Sequence, residues 1–145
     1  MSNEAPMQIR ERALEDMPAV KALLTEGGLP ADGLESARGW VAIADGQMVG
    51  HVAMEELGAS AVLRSLVVAP EARGRGIARS LFCHAERQSV GKAIYLRTRT
   101  INAWVERRGY RTIGLNQVPS ELKASPEFGG NICTSVPIYT RGAQQ

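Results

Sequence analysis

The chain has 145 residues and a mass of 15.6 kDa, enough for one domain spanning 1–145 with a real hydrophobic core. Its 17 basic residues against 15 acidic ones leave a net charge of +2, too small to imply a nucleic-acid partner, and no apolar run approaches the ~20 residues of a membrane span. Two cysteines, Cys83 and Cys133, make no disulfide framework, and the opening MSNEAPMQIRERA lacks a signal peptide's apolar centre, so reduced thiols in a cytoplasm are expected.

Met7–Ala13 alternates loosely and reads as a first strand. A helix follows, with Asp16 as N-cap, Pro18 in the first turn, and Met17, Val20, Leu23 and Leu24 on one face before Gly27–Gly28. Leu29–Gly39 reads as a loop or a short helical turn. Trp40–Leu57 is a hairpin, because Asp45-Gly46 tolerates the positive φ of a type I′ turn. Ala59–Pro70 is apolar on both faces apart from Arg64 and Ser65, as in a central strand. Ile77, Ala78, Leu81, Phe82 and Ala85 then give a helix ending near Gly91. Ala93–Thr98 is a buried strand, and Ile101, Trp104 and Val105 mark a short helix closed by Gly109. YRTIGL and NICTSVPIYT look like two last strands around a loop. The order is β-α-β-β-β-α-β-α-β-β, a mixed sheet with helices on its faces.

The stretch LVVAPEARGRGIARSLF (66–82) runs a strand into a glycine-rich, basic turn and then a helix. Such a turn aims unpaired N–H groups and the positive end of the helix dipole at one point, which suits a phosphate. A P-loop would need Gly-Lys-Ser/Thr, but Ile77 and Ala78 follow the last glycine. A dinucleotide fingerprint would need a third glycine where Arg79 stands, and an acidic residue after a strand that ends in Thr98-Arg99-Thr100. A third candidate is the pyrophosphate of coenzyme A, beside the plain alternative of an ordinary Gly-Arg turn before a helix.

The turn resembles the signature Gln/Arg-x-x-Gly-x-Gly/Ala of the GNAT superfamily of N-acetyltransferases, with Arg73, Gly76 and Ala78 in the fixed places, and the element order is similar from Met7 to Thr140. The resemblance implies an α/β (α+β) fold, a mixed, mostly antiparallel sheet of six or seven strands with a splayed centre and about four flanking helices. It implies acetyl-CoA as acetyl donor, no metal, and a homodimer. Cofactor binding would fall on the backbone of Leu66, Val67 and Val68 for pantetheine, on Arg73, Gly74, Arg75, Gly76, Ile77 and Ala78 for the pyrophosphate, and on Thr98. An N–H of the strand could also polarise the thioester carbonyl.

Two departures from the family pattern concern the chemistry. Val105 stands where many members carry an acid tyrosine, and Thr98 where an asparagine is frequent. For the base, Glu55 is the candidate, with Glu56 beside it; as plain strand-end charges both would be solvated. His51 reads as a strand-face residue and His84, beside Glu86 and Arg87, as surface; the two cysteines read as structural.

Arg64 in a buried strand needs a counter-charge: a salt bridge to Glu55 or Glu56, or the carboxylate of a substrate. In the second case Arg64, Ser65 and Trp104 form the substrate site for a small-molecule amine. LRSLVVAPEARGRGIA, LRTRTINAWVERRGY and the tail VPSELKASPEFGGNICTSVPIY resemble the branch of arsenic-resistance (arsinothricin) acetyltransferases and of the acetyltransferase domain of N-acetylglutamate synthase. That branch implies an acidic, glutamate-like substrate acetylated on its α-amine. The alternatives are a protein N-terminus, a lysine or a polyamine as acceptor, or a non-catalytic acyl-CoA sensor.

Overall fold

A computed structural model describes residues 7–128 and 136–144. The elements β1 (Gln8–Glu11), α1 (Met17–Glu26), β2 (Arg38–Ala44), β3 (Gln47–Leu57), β4 (Ser60–Val68), α2 (Ile77–Gln88), β5 (Ala93–Arg97), α3 (Asn102–Arg107), β6 (Arg111–Ile113) and β7 (Ile138–Arg141) follow the expected order. The strands make one seven-stranded mixed sheet, β1-β2-β3-β4-β5-β7-β6. Among the described residues there are three α-helices; short 3-10 segments occupy the places where a fourth could have stood. β4 and β5 run parallel, with Ser60 to Val62 registered on Ala93 to Tyr95, and Leu63–Val68 lie beyond those pairs. β7 is antiparallel to both β5 and β6. The chain falls into two compact units, Met1–Ala53 with Ser65–Arg87 and Met54–Arg64 with Gln88–Gln145, so β3 and β4 each contribute to both.

In the first unit, Asp45 (φ 53°) and Gly46 (φ 74°) have the two positive φ values of a type I′ turn, as the sequence required. Met17, Val20 and Leu24 of α1 pack on Val41, Ala53 and Val67, with Leu34 and Ala37 completing the core. Leu34 belongs to a one-turn 3-10 segment, Leu34–Ser36, inside the stretch whose shape the sequence left open. What fixes that stretch is distant in sequence. Arg12 Nη2 donates to the carbonyls of Leu34 (2.8 Å) and Ala37 (2.7 Å), and the guanidinium lies so close to Gly39 that a Cβ there would collide with it. Asp16 does stand at the N-cap of α1, yet its carboxylate does not cap that helix. It accepts the Ala13 N–H (2.7 Å) and both terminal nitrogens of Arg10 (2.7 and 2.9 Å). His84, expected on the surface, is half-buried with its ring edge on Trp40, centroids 5.6 Å apart, and burial pushes its pKa down.

The amphipathic face of α2 buries Ile77, Leu81, Phe82 and Ala85. It reaches the sheet because Gly50 has no side chain. A Cβ at Gly50 would lie 2.9 Å from Leu81 Cδ1, 3.1 Å from the Val67 carbonyl and 3.3 Å from Ile77 Cγ2. The second unit has its own core, in which Val118, Leu122 and Phe128 of the loop after β6 pack on Val62 and Ile138. That loop is therefore docked rather than free, and Gly109 (φ +95°) closes α3 ahead of it as expected.

Two outcomes follow from this packing. Gly50→Val overpacks the contact between α2 and β3 and should cost about 1–3 kcal/mol, read as a fall in Tm of roughly 4–10 °C; an unchanged Tm would show that α2 does not rest on that glycine. The Asp16 carboxyl is pulled down to about 2, first by its hydrogen bonds from Arg10, against the opposing effect of burial, and further by the Ala13 N–H. A carboxyl lowered in the folded state stabilises above its unfolded pKa and loses that contribution as pH falls through the folded one, here between about 4 and 2. Solvent screens the half-exposed Arg10 partner, so the effect is on the order of 1 kcal/mol. Asp16→Asn should melt earlier than wild type at neutral pH, with the gap closing as pH drops through that window.

Candidate functional site

The first unit carries the glycine-rich turn. After β4, the Ala69 N–H closes on the Val49 carbonyl (2.8 Å), and Pro70–Ala72 makes a single 3-10 turn. Arg73 to Gly76 are all exposed, and α2 starts at Ile77. Gly74 (φ +82°) and Gly76 (φ +77°) adopt left-handed backbone that other residues rarely take, and a Cβ at either would meet nothing within 4 Å. The turn is thus held by backbone geometry and open on its outer side. First-turn N–H groups of a helix have no intrahelical acceptor, so those of α2 face that opening with the positive end of its dipole. Arg73 folds back so that its Nε donates to the Val68 carbonyl (3.3 Å), while Arg75 stands exposed. Val67 and Val68 are buried and Leu66 half-buried; their side chains serve the core, and what remains to offer a ligand is backbone.

One feature of β4 escaped the sequence. Ser65 has φ +58° in mid-strand, and its carbonyl accepts the Nδ1–H of the fully buried His51 (3.0 Å). The other ring nitrogen of His51 lies 2.9 Å from Arg12 Nη1.

The second unit carries a cluster of arginines and carboxyls. Arg64, its side chain fully buried, donates from Nη1 to Glu55 Oε1 at 3.4 Å. The same oxygen accepts the Ser125 hydroxyl at 2.7 Å, and Ser125 Oγ accepts the Glu127 N–H at 3.2 Å. Arg97 Nη1 donates to the Glu127 carbonyl at 3.2 Å. Val62 and Tyr95 are partners in register, so strand alternation puts Arg64 and Arg97, two residues further along each strand, on the face covered by Val118, Leu122 and Phe128. Burial pushes the Glu127 carboxyl up from its ordinary value, against the pull of Arg64 and Arg97 and with a smaller push from Glu55.

Of the residues singled out in sequence, Arg64 and Glu55 come together, whereas Glu56 faces Lys92 (3.7 Å) instead. Thr98 lies just past the end of β5, and its hydroxyl oxygen accepts the N–H groups of Thr100 (3.2 Å) and Ile101 (3.3 Å) at the entry to α3. Trp104 lies under the Arg108 guanidinium, 5.1 Å from ring centroid to Cζ. Arg97, Ser125 and Glu127 were missed as functional residues, although Ser125-Pro126-Glu127-Phe128 stands out in sequence as a block. Cys83 is a free, half-buried thiol, and Cys133 lies outside the described residues. Among the described residues no group of three His, Cys, Asp or Glu side chains could hold a metal, and no helix is long and apolar enough to cross a membrane.

The acetyltransferase (GNAT) domain family model matches residues 35–112, more than half of the chain. No curated protein sequence matches. Among solved structures, N-acetylglutamate synthase from Neisseria gonorrhoeae, complexed with coenzyme A and N-acetyl-glutamate, superposes with a TM-score of 0.77 at 21% identity over 99% of this chain and 37% of its own. An acetyltransferase of the GNAT family from Staphylococcus aureus gives 0.75 at 17% identity over 96% and 100%. An acyl-CoA N-acyltransferase from Pseudomonas aeruginosa gives 0.70 at 19% over 94% and 100%. The present chain spans little more than a third of the synthase, and at these identities the likeness is one of fold. The order of elements, the glycine turn opening α2 and the family match agree: the chain belongs to the GNAT acetyltransferases, an acyltransferase family whose acetyl donor is acetyl-CoA.

Proposed function

We propose that the protein transfers the acetyl group of acetyl-CoA to the α-amine of a small acidic amino acid, glutamate-like or arsinothricin-like, and that it does so as a cytoplasmic homodimer in an arsenic-resistance setting. The observation that carries the acidic substrate is the cluster of Arg64 and Arg97 around the carboxyl-bearing residues Glu55 and Glu127. A guanidinium fork matches a carboxylate in shape and charge. Of the two carboxyls, Glu55 is held by both Arg64 and Ser125, whereas burial drives the Glu127 carboxyl toward its neutral form. In this reading a substrate carboxylate joins the cluster and is gripped by Arg64.

On the donor side, the exposed turn Arg73–Gly76, the first N–H groups of α2 and the charge of Arg75 suit the pyrophosphate, and the backbone of Leu66 to Val68 suits the pantetheine arm. In the transfer the amine nitrogen bonds to the thioester carbon, the carbon–sulfur bond breaks, and CoA leaves as thiolate. The attacking amine must first lose a proton, and Glu55, whose carboxylate is placed in the cluster by Arg64 and Ser125, is the base candidate. The leaving thiolate belongs to a thiol of pKa about 8.5 and needs no dedicated acid, which accords with Val105 standing where many relatives have tyrosine.

Thiol release from acetyl-CoA, measured with amino acids, polyamines and peptides, tests the whole reading. Turnover confined to acidic amino acids and their analogues supports it; turnover on peptides or polyamines alone, or CoA binding without turnover on anything, overturns it. Arg64→Ala tests the residue. If Arg64 grips the substrate carboxylate, its loss costs roughly 2–5 kcal/mol of binding, a drop on the order of 30-fold or more in kcat/KM, with acetyl-CoA affinity unchanged. A variant that melts earlier yet keeps its amino-acid KM would make Arg64 an internal ion pair only.

A further inference from the structure

The chain of contacts Arg12–His51–Ser65 lies wholly in the first unit and serves none of the roles above. Its chemistry leaves one arrangement of protons. A guanidinium only donates, so the Nε2 of His51, 2.9 Å from Arg12 Nη1, must be the acceptor. A carbonyl only accepts, so Nδ1, 3.0 Å from the Ser65 oxygen, must carry the proton. His51 is therefore neutral and in its Nδ1–H tautomer; an imidazolium would set a second N–H against Arg12. Arg12 is itself fixed by the carbonyls of Leu34 and Ala37, which prevents it from turning away.

The far end of this relay is the residue where β4 leaves regular strand geometry. Ser65 at φ +58° is a non-glycine residue in left-handed backbone, a conformation that persists only where its surroundings hold it. It directly precedes Leu66, Val67 and Val68. We propose that His51 is a positioning residue for acetyl-CoA: its Nδ1–H, with the tautomer set by Arg12, holds the Ser65 carbonyl and so fixes the backbone direction of the three residues that receive the pantetheine arm. This rests on assigning that arm to Leu66–Val68, and it adds a residue that never touches the cofactor.

Calorimetry of CoA binding, melting curves and nitrogen NMR of the imidazole, made on the same proteins, decide the matter. In the wild type, His51 should show a protonated Nδ1 and an unprotonated Nε2; the opposite tautomer overturns the proposal. His51→Leu keeps bulk but loses the donor, and should weaken CoA binding about ten-fold or more while the far-UV spectrum stays native. His51→Asn places an amide N–H near the old Nδ1 and should restore most of that affinity. A merely structural histidine would lower Tm in both variants and leave the CoA Kd of the folded protein alone, and that result sinks the idea. Should the leucine variant fail to fold, the tautomer and the asparagine variant still decide: native-like CoA binding in His51→Asn is expected, and a loss as large as full removal of the site overturns it. Gly76→Asp, which sets a carboxylate in the glycine turn, separates the two levels. If CoA binds the wild type and Gly76→Asp equally, the donor assignment falls and this proposal with it. If Gly76→Asp abolishes binding and His51→Leu does not change it, only the role of His51 falls.

Discussion

Ser65 holds left-handed backbone in the middle of a strand whose residues are nearly all buried. Such a residue costs roughly 1–3 kcal/mol and must be held by what surrounds it. The surroundings here are a fully buried imidazole on its carbonyl and the resumed pairing at Ala69, whose N–H reaches the Val49 carbonyl at 2.8 Å. The consequence is a division of labour along one strand. Up to Arg64, side chains of β4 join the carboxyl cluster and the core of the second unit. From Leu66 onward, side chains go to the core of the first unit, and the strand feeds the glycine turn and α2.

Two guanidiniums, one half-buried and one fully buried, are held in different ways. Arg12 donates to two carbonyls and faces an imidazole nitrogen, and burial pushes its pKa down against the pull of Glu35 and Asp16. Arg64 meets Glu55 at 3.4 Å, longer than a good charge-assisted bond, in the field of a second carboxyl on Glu127. Arg64 thus belongs to a charged cluster with Glu55 and Ser125, in the field of Glu127.

How much of this could be read in the chain depends on the range of the cause. The hairpin turn at Asp45-Gly46, the stop at Gly27–Gly28, the glycine turn at 73–76 and the face of α2 are all set by residues within a few positions of one another, and each stands where the sequence put it. The stretch Leu29–Gly39 was opaque because its shape comes from Arg12, which bonds carbonyls 22 and 25 residues away. Thr98 was placed at the end of β5, which stops at Arg97; its hydroxyl is engaged in turning the chain into α3, a local competition with the strand ladder.

The carboxyl cluster shows the same limit from the functional side. Glu55 and Arg64 could be paired on paper because they flank one tight turn, nine residues apart. Ser125 reaches Glu55 across 70 residues, and its loop is seated by Val118, Leu122 and Phe128, apolar residues too scattered for any helical or strand period to reveal. Arg97 drew no attention in the sequence; the register of Val62 on Tyr95 aligns it with Arg64. A serine alone in mid-strand gives no sign of left-handed backbone either, because glycine or asparagine would be the expected marker there. What sequence could not supply in each case was the partner far along the chain, and in this chain those partners decide how each buried charge is held.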